Sequence, residues 1–118
     1  SKLFYSVKAI DGFIIAIKAI RAFSNQHILS KKQKELINHT VAKFVLLSVS
    51  PSIMSFNFKE YFKILEKLKE NDAYKIKTHG LRMDYKKLAK IYNFNKLFYA
   101  FYFPFDKKIK FFKENKTT

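Results

Sequence analysis

Cysteine and tryptophan are absent from this 118-residue chain, glycine and proline occur twice each, and only 9 acids stand against 24 Lys+Arg. Without cysteine there is no disulfide framework, no thiolate zinc site and no thiol nucleophile. Gly12 and Gly80 are isolated, so no glycine-rich loop can cradle a phosphate. The longest uncharged stretch, residues 44–58, contains Pro51 and four serines and falls short of the roughly 20 apolar residues of a bilayer span. Lys2, Lys8 and Asp11 interrupt any secretory apolar run at the N-terminus. The expectation is therefore no transmembrane segment and an intracellular protein, in the cytoplasm or in the matrix of a mitochondrion or plastid.

What the chain does contain is apolar, aromatic and basic. Hydrophobic residues make up 48% of it, enough to exclude a disordered basic tail and to build one core. Phe, Ile, Lys, Asn and Tyr together exceed half of the residues, whereas Gly, Ala, Arg and Pro are scarce. AT-biased coding explains that contrast, and with it the abundance of aromatics and the preference for lysine over arginine; an organellar genome fits it. The same bias does not remove acids, so the formal charge of +15 remains a physical signal. Each quarter of the chain carries a surplus of +3 to +5, with no detachable basic tail. Charge spread in this way suits a domain embedded among phosphates.

Hydrophobic periodicity predicts a mainly α fold, a compact bundle of about five to six helices. Leu3, Val7, Ile10, Ile14 and Ile17, broadened by Phe13, Ile20 and Phe23, mark a first helix over residues 2–23. Ser30 and Gln33 have capping-box spacing and open a second helix that Pro51 should end nearby. Its inner stripe is Leu36, Ile37, Val41, Phe44, Val45 and Ser48, and the run Val45-Leu46-Leu47 implies burial on more than one side. Asn57 and Glu60 open a third helix to about Glu70, stopped by Asn71-Asp72. Tyr74, Ile76 and Thr78 alternate with Lys75 and Lys77, which allows one short strand or hairpin near residues 73–78. Asp84 is placed to cap a fourth helix, Asn93 and Asn95 break it, and an aromatic helix from Lys96 runs to Phe103 before Pro104. A last short helix after Asp106 completes a single basic domain over residues 1–113, with 114–118 as a frayed tail.

Motifs that would carry chemistry are few. His27 and His39 lack metal-ligand spacing, and nine scattered acids offer no catalytic pair, so the sequence reads as neither an enzyme nor a cofactor protein. The lysine row Lys59, Lys63, Lys67 is partly neutralised by Glu66 and Glu70. Around the fourth helix, by contrast, Lys75, Lys77, Arg82, Lys86, Lys87 and Lys90 face few acids, and with Lys107 and Lys108 they are the expected phosphate contacts. His79, in the turn between Lys77 and Arg82, and Tyr99 and Tyr102, in the aromatic cluster, are candidates for stacking or docking. Within that cluster Phe94, Phe98 and Phe101 are expected in the core, with the two tyrosines at its edge.

The leading reading is a non-catalytic RNA-binding structural protein of a ribosome or similar ribonucleoprotein. Its partners would be RNA, ribosomal RNA foremost, and neighbouring proteins of a large assembly. Three alternatives come from other classes. Residues 84–103 approximate a DNA-binding helix-turn-helix, although Leu97–Phe103 carries almost nothing that reads base edges. A small helical subunit of an RNA-guided effector would use the same spread charge. A protein-interaction subunit of an organellar membrane complex would dock through the aromatic C-terminal region.

Overall fold

Five α-helices follow one another along residues 7–105, the part of the chain that the computed structural model describes. They are α1 (Val7–Gln26), α2 (Lys31–Met54), α3 (Phe58–Glu70), α4 (Met83–Phe94) and α5 (Lys96–Tyr102), followed by a 3-10 helix at Phe103–Phe105. No strand occurs among the described residues. The start of the first predicted helix, the helix after Asp106 and the 114–118 tail lie outside them, as do Lys107 and Lys108.

The caps form as the local chemistry dictates. Ser30 Oγ accepts from the Gln33 N–H at 3.2 Å while Gln33 Oε1 accepts from the Ser30 N–H at 2.9 Å, closing the capping box of α2. Asn57 Oδ1 accepts from the Glu60 N–H at 3.1 Å to start α3. Asn95 ends α4 and begins α5, its side chain accepting from the N–H groups of both Leu97 and Phe98. Asp84 departs from expectation. Arg82 is the N-cap residue of α4, without a side-chain cap bond, and Asp84 lies in the first turn, accepting from the Tyr85 N–H at 2.9 Å.

Helix α2 is the central element, with α1, α3, α4 and the 3-10 helix all packed against it. Its burial on several sides is realised: every residue from Val45 to Ser50 is buried. Leu36, predicted for the inner stripe, is instead exposed, because it precedes the stretch that its neighbours cover. Pro51 does not stop the helix, which runs on to Met54. A mid-helix proline removes one donor and normally breaks the ladder. Here the surrounding serines work within the backbone: Ser48 Oγ donates to the Phe44 carbonyl and Ser52 Oγ to the Val49 carbonyl, both at 2.7 Å. Burial of Ser48, Val49, Ser50, Ser52 and Ile53 around the proline then holds the helix in register.

By length and hydropathy α2 could also cross a membrane, but more than half of the qualifying stretch is buried inside this bundle. Ile10, Ile14 and Ile17 of α1 cover one side of the bundle core, and Phe13 stacks on Phe44 of α2 at 5.5 Å. Tyr61, Ile64, Leu65 and Leu68 of α3 and Tyr85, Leu88, Ala89 and Tyr92 of α4 complete it.

The segment between α3 and α4 replaces the strand expected near 73–78. Its alternation is real, with Ile76 buried and Lys75 and Lys77 exposed, but no second strand pairs with it. The side-chain amide of Asn93 takes that role. It accepts from the Ile76 N–H at 3.0 Å and donates to the Ile76 carbonyl at 2.7 Å, satisfying both backbone groups of one residue. Further along, Gly80 turns with φ 79° close against α2, where a Cβ would run into the Glu35 side chain.

Candidate nucleic-acid interface

A groove of about 710 Å³ opens where the loop after α3 passes the C-terminal end of α1 and the N-terminal half of α2. Arg21, Ser24 and Asn25 line it from α1, Ile37, Asn38 and Val41 from α2, and Lys69 from the last turn of α3. Asp72 and Tyr74–Thr78 form its floor and rim, with Asn93 behind them. Its lining thus includes four cations, Arg21, Lys69, Lys75 and Lys77, and one carboxylate, Asp72.

Backbone chemistry fixes that loop. Helix α3 closes with a Schellman arrangement: the Ala73 N–H donates to the Leu68 carbonyl at 2.8 Å and the Asp72 N–H to the Lys69 carbonyl at 3.3 Å. Asp72 adopts the left-handed conformation this requires, φ 55°. Arg21 donates from its guanidinium to the Asp72 carbonyl, tying the loop to α1. Asn38 Nδ2 donates to the His79 carbonyl at 3.2 Å, tying its far end to α2.

The groove offers charge and amides rather than an open aromatic platform. Tyr74 is half-buried, and both Lys69 and Lys96 lie over its ring, at 5.4 and 4.2 Å from the centroid. Lys96 also sits 4.3 Å from the centre of the Tyr92 ring, and its burial there holds the ammonium below the usual lysine range. With two lysines over its ring, Tyr74 is engaged in cation–π contacts rather than presented as a stacking face for a base.

The predicted site residues divide. Lys75 and Lys77 are exposed on the groove wall, joined there by Arg21 and Lys69, which sequence reasoning did not single out. Lys86 and Lys90 lie on the face of α4 that carries Asn93, one and two turns along the helix from the groove. Lys87 sits over the Tyr102 ring at 5.4 Å, toward the aromatic end of the molecule. Arg82 is committed elsewhere: its fork meets the two oxygens of Asp84 at 2.8 and 3.3 Å, and its plane lies 5.3 Å from the Tyr85 ring centre. That pairing holds the Asp84 carboxyl below the usual range. His79 is exposed, with Nε2 3.7 Å from Glu35 Oε2. His39 lies edge-on to Tyr85, and burial lowers its pKa.

Tyr99 requires a correction. It is fully buried, packs edge-on against Tyr92 at 5.6 Å and shares a 3.0 Å hydrogen bond with Ser50 Oγ. It is a core residue and presents nothing to a partner. Tyr102 is half-buried, while the phenylalanines expected inside, Phe94, Phe98 and Phe101, are exposed. The outward face of α5 is thus apolar, and it holds no hydrogen-bonding side chain of the kind a DNA recognition helix directs at base edges.

No group of three or more His, Asp or Glu residues able to hold a metal ion occurs among the described residues. No protein-family model matches the sequence, and neither the curated proteins nor the solved structures include one significantly similar to it.

Proposed function

We propose that this protein is a non-catalytic RNA-associated structural subunit, of the kind that fills a gap in a ribosome or similar ribonucleoprotein. The observation that carries this reading is the groove between α1, α2 and the 72–78 loop, whose lining includes four cations and a single carboxylate. Cations gathered from three separate segments repel one another in the free protein, and a phosphodiester backbone relieves that repulsion while releasing its counterions. The overall charge of +15 extends the same preference beyond the groove. The groove holds the backbone, Lys86 and Lys90 continue the track along α4, and RNA shape rather than sequence sets the fit.

Filter binding of a structured RNA hairpin across a salt series tests the reading. The wild-type chain should lose affinity steeply with salt, and Lys75→Glu/Lys77→Glu should bind at least ~10-fold more weakly with a salt slope shallower by about 2. Salt-independent binding, or an unchanged affinity in the double variant, would sink it.

A further inference from the structure

After Lys96, every position of helix α5 is apolar or aromatic. Its inner face, Tyr99 and Ala100 with Phe103 beyond, is buried in the core. Its outer face, Leu97, Phe98 and Phe101, is about half exposed, and Phe94 before it and Phe105 after it are 83% and 81% exposed. A helix apolar on every side belongs inside a structure, and here the described residues cover only one of its two faces. The strip continues onto α3: Phe101 meets Phe58 at 6.1 Å, and Phe62, one turn further along, is half exposed. Two helices from separate parts of the chain thus present one contiguous aromatic strip, and contiguous apolar area of this kind marks an interaction site.

The charge around the strip selects its occupant. From Tyr85 to Phe105 the chain carries four lysines and no carboxylate. Lys87, Lys90 and Phe94 share one stripe of α4 that leads onto the strip, and on α3 Lys59 and Lys63 flank Phe58 and Phe62, with Glu66 one turn beyond. A second copy of this chain would set lysine rim against lysine rim at +15 each, so self-association is opposed. Leu97, Phe98 and Phe101 supply only carbon to a ligand, which leaves the phosphates and base edges of a nucleic acid without donors at the centre of the strip.

We propose that the strip formed by α5 and the start of α3 docks an apolar helix edged with carboxylates, supplied by a neighbouring protein. The apolar side of that helix would lie along Phe62, Phe98 and Phe101, with its acids reaching Lys59, Lys63 and Lys87. The site is separate from the groove, so the protein would bridge RNA on one side and a protein on another.

Titration of the full chain with a fluorescent amphipathic peptide of about 16 residues, leucines on one face and glutamates flanking it, tests this. A lysine-flanked peptide with the same leucines, single-stranded poly(U) and phosphatidylglycerol vesicles are run in parallel. The glutamate peptide should bind and the lysine peptide should not. Phe98→Ser/Phe101→Ser should weaken peptide binding at least ~10-fold while RNA hairpin affinity stays within about twofold. Phe94→Ser and Phe105→Ser, at two more exposed positions, repeat the test should the double variant unfold. Equal binding of both peptides, or unchanged peptide affinity in all the variants, would overturn the proposal. So would a loss of poly(U) or vesicle binding larger than the loss of peptide binding, which would assign the strip to bases or to lipid.

Discussion

Phe56 and Asp72 stand at equivalent places, one residue past the C-caps of α2 and α3, with φ 56° and 55°. In each case the helix closes by a Schellman arrangement; for α2 the Asn57 N–H reaches the Ser52 carbonyl at 2.9 Å and the Phe56 N–H the Ile53 carbonyl at 3.0 Å. Aspartate tolerates the left-handed region better than a bulky aromatic does. The Phe56 side chain is exposed and recovers little of that strain by packing. Phe56→Gly should therefore stabilise the protein by about 1 kcal/mol, seen as a rise in the urea midpoint at unchanged slope. A fall in the midpoint would mean that the ring is held by something the protein needs. The caps themselves were legible in the sequence, at Ser30 with Gln33, at Asn57 and at Asn71, because a side chain bonding its own backbone needs no knowledge of the fold. Pro51 likewise marks a nearby end, and α2 does close three residues on, at Met54.

Among the elements, the 71–82 connection depends most on a single side chain. Asn93 satisfies both backbone groups of Ile76, and Ile76 is itself a core residue, so the amide fastens the groove wall to α4. Asn93→Ala leaves those groups part-buried without a partner and should cost about 2 kcal/mol. Amide exchange at residues 74–78 should accelerate more than exchange in α2, because the loss is local. Uniform acceleration would show that the loop is held by other means. The alternation of Tyr74, Ile76 and Thr78 with two lysines was readable as residues facing in and out, but not its partner, because a lone asparagine seventeen residues away leaves no periodic trace. The aromatic helix failed differently. Every position on it after Lys96 is apolar or aromatic, so periodicity could not tell inside from outside. The choice fell to Ser50, whose hydroxyl partners Tyr99 and draws that tyrosine inward in place of the phenylalanines.

At the scale of the whole molecule, positive charge is the one quantity that the chain leaves far from balance. Lys67 with Asp11 and Arg82 with Asp84 pair cations, and His79 sits by Glu35, but 9 acids cannot serve 24 Lys+Arg. Self-repulsion of this kind opposes compactness and is screened by salt. The melting temperature should therefore rise by a few degrees as sodium chloride increases from about 20 to about 300 mM, the reverse of a protein held by surface ion pairs. A flat or falling trend would show that the surplus lies too far apart to matter. The excess and its even spread were plain from the sequence. The groove was not, because Arg21, Lys69, Lys75 and Lys77 converge only after three helices have packed.

The bond between Ser50 and Tyr99 spans 49 residues and joins the C-terminal part of the central helix to the last α-helix described. During synthesis, that order matters. Helices α1 and α3 are the immediate neighbours of α2 and can cover it as they emerge, yet the serine side of α2 waits for residues made much later. Until Tyr99 and Phe103 arrive, a long apolar helix stands part-uncovered, with a buried hydroxyl lacking its tyrosine. Completion of the core is thus tied to the arrival of α5, and a product cut short before residue 99 would meet chaperones or proteases with its central helix still open along one side.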